Sequence, residues 1–521
     1  MSNPYFRGFT RAHLRWMWTN HLLSHYVPLT WMSFGLDYDI WGREARGYHL
    51  TNVLLHAFNA GLFYLLSLAL LRRSVSTKPM QLLPAAVFAA FFFSLHPLRV
   101  ESVAWVTERR DVLSGFFFLL ALLAYLRASA PGPAQPIQAR YYLTCFAFFI
   151  LAILSKEIAV VLPAIMLLLD VYPLKRIGGE PGRWFGPPVR WVWLEKIPFF
   201  AVSLADAVMT LQVGTRDHLL VKLGWIPRIA ATVYALAFYL LKTLIPVNLS
   251  PLYPLTSHNS GLAAPFAISS AVVLSITSAA FFLWRRFPGL LIVWLTFLVI
   301  LLPVSGIFQA GAQIAADRYT YLACLGWALL AGVAFQWCWN ALGSSLGRGL
   351  AATAALLVLI TLAWLTRAQI GIWKDSDSLW SRAVSIQPSS VACDNLGSTL
   401  FDEGDAVGAE EQYRHAIAIN PNDAVGHAGL GNMLLDLRQW DQAARELRTA
   451  VDLMPRLAPA HNNLGHALAM QGKIDEAIGQ FREALSLQPE DPNFKRNLER
   501  ALEVKLHPEQ AGGWGMSRLS R

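Results

Sequence analysis

The stretch from His96 to Ser114, HPLRVESVAWVTERRDVLS, carries Arg99, Glu101, Glu108, Arg109, Arg110 and Asp111. Written as a helix, it sets Glu101, Trp105, Glu108 and Asp111 at roughly i, i+4, i+7 and i+10, on one face. Guanidinium groups grip phosphate oxygens, and a carboxylate takes the proton of a hydroxyl. Together these residue types suit the movement of a group carried on a phosphate to a hydroxyl acceptor. Other polar islands interrupt the apolar sequence: His25 to Thr30, followed by Asp37 and Asp39; Ser155-Lys156-Glu157; residues 246–259, with Asn248, Tyr253 and His258; and Ala316 to Tyr321, with Asp317, Arg318 and Tyr319. Ionisable groups beside hydrocarbon are costly, so each island should face water, a partner charge or a ligand. Plainer readings stand beside these: Lys156-Glu157 and Asp317-Arg318 as local ion pairs, His56 as a hydrogen-bonded core histidine, and His96-Pro97 as a helix end.

The elements that must position these residues are membrane helices. The chain has 521 residues, of which 55% are hydrophobic and 15% charged, too apolar a balance for a soluble protein. Apolar runs at about 49–71, 81–97, 112–126, 141–155, 157–171, 193–213, 228–246, 263–284, 288–306, 320–342 and 349–371 predict ten or eleven spans within residues 1–372. The run 228–246 is expected to be the tilted or non-spanning one. The net charge of +9 sits largely in basic pairs at the ends of runs, Arg72-Arg73, Lys175-Arg176 and Arg285-Arg286. That is the pattern of cytoplasmic loops, not of a nucleic-acid surface. Cys145, Cys324, Cys338 and Cys393 show no redox or metal spacing. No His, Cys or carboxylate group has ligand spacing, so no metal site or cofactor is assigned; a divalent cation has no support from spacing. Residues 1–48 lack the basic tip and apolar core of a cleavable signal peptide.

After Trp373 the material changes. Leu396-Gly397, Leu430-Gly431 and Leu464-Gly465 recur at a step of 34, as do Ala409, Ala443 and Ala477, and Tyr413, Leu447 and Phe481. Pro388, Pro421, Pro455 and Pro489 close the units. This is the tetratricopeptide (TPR) pattern of stacked helix pairs, and its usual use is binding a peptide or protein in the concave groove. Residues 373–505 are read as a half-repeat, three repeats and a capping helix, and 506–521 as a flexible tail. Asn395, Asn463, Arg414, Arg448 and Arg482 are the candidates for contact with a bound protein.

The strings HYVPLTWMSFGLDYDIWG, GYHLTNVLLHAFNA, SLHPLRVESVAWVTERRDVLS, LSKEIAVVLP, LIPVNLSPLYPL and ADRYTYL, in that order and followed by TPRs, resemble bacterial relatives of the transmembrane-and-TPR O-mannosyltransferases, within the GT-C fold of the dolichyl-phosphate-mannose protein mannosyltransferases. The resemblance implies an all-α, polytopic GT-C domain followed by a TPR superhelix. It implies an inverting transferase that moves a hexose such as mannose from a polyprenyl-phosphate donor to a protein hydroxyl. It also implies an integral protein of the bacterial plasma membrane, with site and repeats on the extracytoplasmic side. Arg109, Arg110, Lys156 and Arg318 are expected to bind the donor phosphate, with Glu157, Asp317 and Tyr319 beside them. Glu108 and Asp111 are the catalytic candidates. Family members begin with a membrane helix and an acidic pair just before a stretch like residues 3–10, whereas this sequence opens Met1-Ser2-Asn3-Pro4. The expectation is therefore a mis-assigned start, with the general base upstream and Asp37 or Asp39 as its substitute. Two other functions fit the composition: a non-catalytic TPR scaffold, and a ligase or polymerase of lipid-linked glycans.

Overall fold

The computed structural model describes residues 3–22, 25–74, 79–130, 132, 136–178, 182–216, 224–254, 264–305 and 313–507. His258 and the tail beyond His507 lie outside them. The protein is built almost wholly of helices; among the described residues the only paired strands are Tyr253–Pro254 and Gln313–Ala315, an antiparallel couple. It divides into two compact units, Met1–Trp373 and Lys374–Arg521.

Among the described residues of the first unit, five helices are long and apolar enough to cross a bilayer: Ala45–Ser74, Val106–Ala128, Arg190–Val213, Ala264–Phe282 and Ser345–Ile372. Two bent pairs raise the number to seven: Met80–Ser94 with Pro97–Ala104, and Asp317–Ala323 with Leu325–Ala341. The sequence pattern predicts ten or eleven, and the difference has a physical cause. The runs at 141–155 and 157–171 fold as Ala139–Ile153 and Leu162–Val171, of 15 and 10 residues, separated by the 3-10 turn Glu157–Val161. Neither reaches the roughly 20 residues that a straight span requires. The run at 288–306 gives the 14-residue helix Pro288–Leu301. Two of these breaks fall on polar islands, His96-Pro97 and Ser155 to Glu157, whereas the segment Asp317–Ala323 bends into Leu325–Ala341 at Cys324. Proline removes a backbone donor at the first, and both island breaks turn charged side chains toward the protein interior.

The Val106–Ala128 span is the most enclosed of the five, with 78% of its apolar window buried, against 11–28% for the others. It is the axle of the unit. Small residues let other elements close in. A Cβ on Gly332 would lie 2.2 Å from the Ala85 carbonyl oxygen, and one on Gly115 would lie 2.9 Å from the Tyr321 ring. Charge clusters sit at both ends of this helix, about 24 Å apart by its rise. At the far end Tyr125 donates to Asp170 (2.6 Å), Lys196 pairs with Asp170 (2.8 Å) and Glu195 (2.6 Å), and Arg176 pairs with Glu195 (2.5 Å). Arg176, read from sequence as a loop charge, is 2% exposed. Two cations and two carboxylates neutralise each other there and tie the helix ends together.

The second unit alternates helices Ser390–Asp402, Ala406–Ile419, Ala424–Asp436, Trp440–Leu453, Ala458–Met470 and Ile474–Leu487, preceded by Ser376–Ile386 and followed by Pro492–Leu506. The period of 34 has a packing reason. A Cβ on Gly397, Gly431 or Gly465 would meet Tyr413, Leu447 or Phe481 at 3.1, 2.6 or 2.8 Å. The bare backbone of each first helix thus receives the large side chain of the second. Ala409, Ala443 and Ala477 are fully buried at the same seam. Asp394 lies buried against Asp423, which caps the next repeat by accepting from the Val425 and Gly426 amides. Burial, then the neighbouring carboxylate, raises Asp394 to about 8.

Candidate active site

The His96–Ser114 segment is not one helix. It runs as a 3-10 turn Pro97–Arg99, a short helix Val100–Ala104, a second turn Val106–Glu108 and then the long helix from Arg109. Trp105, in extended geometry, makes the corner. The single face expected of Glu101, Glu108 and Asp111 is therefore assembled across a bend. Folding achieves the same gathering by another route, and it brings in two distant islands.

Glu108 is the hub. It takes both Arg110 Nε (3.0 Å) and Arg110 Nη2 (2.6 Å), a forked pair, and it also holds Lys156 Nζ at 3.3 Å and Arg318 Nε at 3.5 Å. Lys156 makes a shorter bond to Asp111 (2.6 Å), which also accepts from Ser102 (3.2 Å). Arg318 is paired with Glu101, whose other oxygen accepts the Arg318 amide at 2.8 Å. Three cations from three sequence islands thus meet three carboxylates. The guanidinium of Arg318 also lies over Trp105 and Tyr319, at 5.5 and 5.0 Å from the ring centres. The carboxylates are closed off: the side chains of Glu101 and Glu108 are each 1% exposed and that of Asp111 5%, whereas Arg110 is 18% exposed and Arg318 10%. The two arginines therefore form the rim, and Lys156, 6% exposed, lies with the carboxylates in the floor. Pairing offsets the cost of burying the charges and holds the three cations in place.

Asp317 is buried one layer behind. It accepts from Tyr253 (3.0 Å), and Arg99 nearby donates to the Thr320 carbonyl and hydroxyl at 2.8 Å each. Tyr319 accepts from Gln313 (3.0 Å). These bonds fix the turn that aims Arg318 at Glu101.

Arg109 points elsewhere. It is completely buried, pairs with Asp37 (2.5 Å), donates to Asn52 and to the Tyr48 carbonyl at 2.8 Å each, and stacks over Phe34 at 4.8 Å. Asp37 accepts a further bond from Thr51 (2.8 Å). The expected donor ligand and the expected substitute base thus satisfy each other inside the protein. Asp39 is exposed and rests against Gly8, whose φ of +84° leaves it room; a Cβ there would lie 2.6 Å from the Asp39 carboxylate. Glu157 is bonded to His25 (3.0 Å), not to Lys156, its sequence neighbour. His56 bonds Tyr321 (2.8 Å) and the Ser94 carbonyl (3.2 Å) as a core histidine, and His96 caps the Pro97 turn. Among the described residues no three His, Cys, Asp or Glu side chains converge as metal ligands.

Asp206 escaped the sequence reading. It is 8% exposed, on the helix Ile197–Arg216, and its charge repels that of Glu157. The signal is a single carboxylate in the apolar stretch between Lys196 and Arg216.

In the repeat unit, Asn395 and Asn463 stand on first helices and Arg414, Arg448 and Arg482 on second helices. Asn463 reaches Asn432 on the preceding first helix (3.1 Å), and Arg448 reaches Glu476 on the following second helix (3.5 Å). Asn395 turns back to the Val391 carbonyl (2.7 Å), Arg414 pairs with Glu410 (2.6 Å), and Arg482 is exposed. Asparagines and arginines therefore occupy two rows, not one surface.

Comparison with known proteins finds similarity in both units. Two families, both described as tetratricopeptide repeat, match residues 391–423 and 429–492. The membrane unit and repeats together match curated proteins. The chain is similar to protein O-mannosyl-transferases. It is 25% identical to protein O-mannosyl-transferase F38B6.6 of Caenorhabditis elegans, over 76% of this chain and 54% of that protein. It is 26% identical to protein O-mannosyl-transferase tmtc2 of Xenopus laevis, over 78% and 56%, and 25% identical to protein O-mannosyl-transferase TMTC1 of Homo sapiens, over 82% and 52%. The chain spans about half the length of the curated relatives it matches.

Proposed function

We propose that this protein is a membrane glycosyltransferase that moves a hexose, mannose being the first candidate, from a polyprenyl-phosphate donor to a hydroxyl of a protein, with inversion at the sugar carbon. The observation that carries this reading is the cationic cluster: Arg110 and Arg318 at the rim and Lys156 beneath them, from three separate islands, each anchored by a buried carboxylate. A phosphate placed on the cluster receives their N–H groups, and the same groups stabilise the negative charge that grows on it as the sugar leaves. Glu108, Asp111 and Glu101 act by holding the cations. Arg109 and Asp37 brace the floor, while Asp317 and Tyr319 hold the Arg318 turn. Trp105 and Tyr319 offer aromatic faces for the sugar or the lipid neck.

The repeats bring the acceptor, with Asn395 and Asn463 on the row best suited to a polypeptide and the arginines on the other row. They lie on the extracytoplasmic side of the plasma membrane, where a lipid-linked sugar is the available donor. The test is to reconstitute the full chain in lipid, offer polyprenyl-phosphate mannose and glucose in turn with candidate acceptor proteins, and analyse the product. Hexose on serine or threonine supports the reading. A free glycan as the sole product points to the ligase or polymerase, and no product with any donor to the scaffold.

A further inference from the structure

The repeat unit holds a polar chain that the 34-residue period does not record. Asn432, Asn462, Asn463 and Asn497 are joined side chain to side chain across three successive helices of the inner row: Ala424–Asp436, Ala458–Met470 and the capping helix Pro492–Leu506. The Asn497 amide donates to the Asn462 oxygen (2.9 Å), the Asn462 amide to the Asn463 oxygen (3.2 Å), and the Asn463 amide to the Asn432 oxygen (3.1 Å). All three bonds run in one direction. The bonds between helices join positions 35 and 31 residues apart, so each side chain reaches its neighbour slightly off the repeat register.

Stacking does not need these bonds. Phe494 packs on Ala458 and Ala484 at the last joint, and Leu447, Val451, Leu464 and Leu468 share one buried cluster at the joint before it. Bonds between half-buried neutral amides add little to such packing. Their position suits an external partner. The first helices of successive repeats approach one another more closely than the second helices do. In a curved stack the closer row lines the concave side, which is the binding surface of such arrays. Asn432, Asn463 and Asn497 are half-buried there, and Asn462, 8% exposed, is the covered link.

A carboxamide has two N–H donors and an oxygen with two lone pairs. Asn462 and Asn463 each spend one donor and one lone pair on the chain, Asn432 only a lone pair and Asn497 only a donor. Each amide thus has donor and acceptor capacity beyond the chain, the same two functions that a peptide unit presents. The four side chains carry no charge and so hold no preference for acidic or basic residues. Packed helix axes lie 8–10 Å apart, so three helices span ~18 Å. An extended chain rises ~3.3 Å per residue, so about five or six residues cover that length.

We propose that this asparagine strip binds the main chain of an extended polypeptide through its peptide N–H and C=O groups, without reading its side chains. The inference rests on the reading of the repeats as the unit that captures the acceptor, and it names the acceptor class: extended segments of varied sequence. A segment held by its main chain keeps its serine and threonine hydroxyls available for glycosylation.

The test is a binding measurement, which needs neither donor nor transfer. The full chain in lipid nanodiscs is titrated against a short fluorescent peptide of glycine, alanine, serine and threonine, against shuffled versions of it, and against the same peptide N-methylated at every residue. Fluorescence anisotropy reads the affinity. Shuffled peptides should bind within about threefold of the parent, and the N-methylated one about tenfold or more weaker, since its donors are gone. Asn432→Ala combined with Asn463→Ala should weaken the parent peptide about tenfold while thermal unfolding of the repeats stays near that of wild type. Affinity that follows side-chain order overturns the inference, as does equal binding of the N-methylated peptide or no binding of the parent by wild type. A lower unfolding temperature with unchanged affinity also overturns it, leaving the strip as a tie between repeats. If the double variant fails to fold, the peptide series on wild type decides. Hexose transfer to protein from polyprenyl-phosphate mannose judges the transferase reading separately: transfer with equal binding of the N-methylated peptide sinks only this inference, and main-chain binding without transfer sinks only that reading.

Discussion

Glu108 shows how one buried carboxylate organises a site. It touches Arg110, Lys156 and Arg318, so Glu108→Gln leaves three cations without their common anchor. Breaking a buried pair in this way costs about 3–5 kcal/mol. We expect transfer to fall by about 10²-fold or more, with the chain's thermal unfolding in detergent moved several degrees lower; a wild-type rate would remove Glu108 from the account. Arg109 and Arg110 are adjacent, and sequence could not assign them different tasks. The turn of the helix start sends one to Asp37 and the other to the rim. Asp394 gives a prediction in the repeat unit. Its carboxyl is raised from an ordinary 3.8 to about 8, so the folded state holds a proton that the unfolded state releases. That stability is complete below pH 4 and is lost as pH rises toward 8, by at most about 1.4 kcal/mol per pH unit. The protection of the 390–436 amides, corrected for the base-catalysed intrinsic rate, should fall over that window in wild type. In Asp394→Asn it should not; equal pH dependence in both would contradict the assignment.

At the scale of elements, the repeats were legible because one constraint returns every 34 residues. A glycine backbone must accept a large side chain from its partner helix, and the pattern cannot drift without leaving a void or a clash. Gly465→Val places branched carbons where Phe481 packs, and overpacking of this kind costs about 1–3 kcal/mol. Thermal unfolding of the repeat unit, followed by circular dichroism, should shift down accordingly, while Gly479→Ala, inside a helix with open space at its Cβ, should leave it unchanged or shift it up. The membrane elements were less legible. Hydropathy found the apolar runs but not their breaks, since an averaged window smooths over a 3-10 turn at His96-Pro97 or Glu157–Val161. Those breaks hold the clustered charges. The islands themselves were visible as charges among apolar residues; their pairings were not, because they join positions as far apart as Glu101 and Arg318, and nothing local records such a contact.

On the scale of the whole molecule, we propose donor chemistry in the membrane unit and acceptor capture in the repeats, with both on the extracytoplasmic side. A cysteine placed at exposed Arg482 should react with a membrane-impermeant maleimide added to intact cells, once Cys338, the exposed native cysteine, is replaced. Labelling only after lysis would put the repeats in the cytoplasm and separate them from the donor. The central claim, that Arg110, Lys156 and Arg318 receive the phosphate of a lipid-linked sugar, is tested most directly by following radiolabelled hexose from polyprenyl-phosphate to protein in vesicles carrying wild type or Arg110→Gln. Wild type should label acceptor protein, and Arg110→Gln should label it about 10²-fold more slowly. Equal labelling by the two, or none by wild type, would contradict the account.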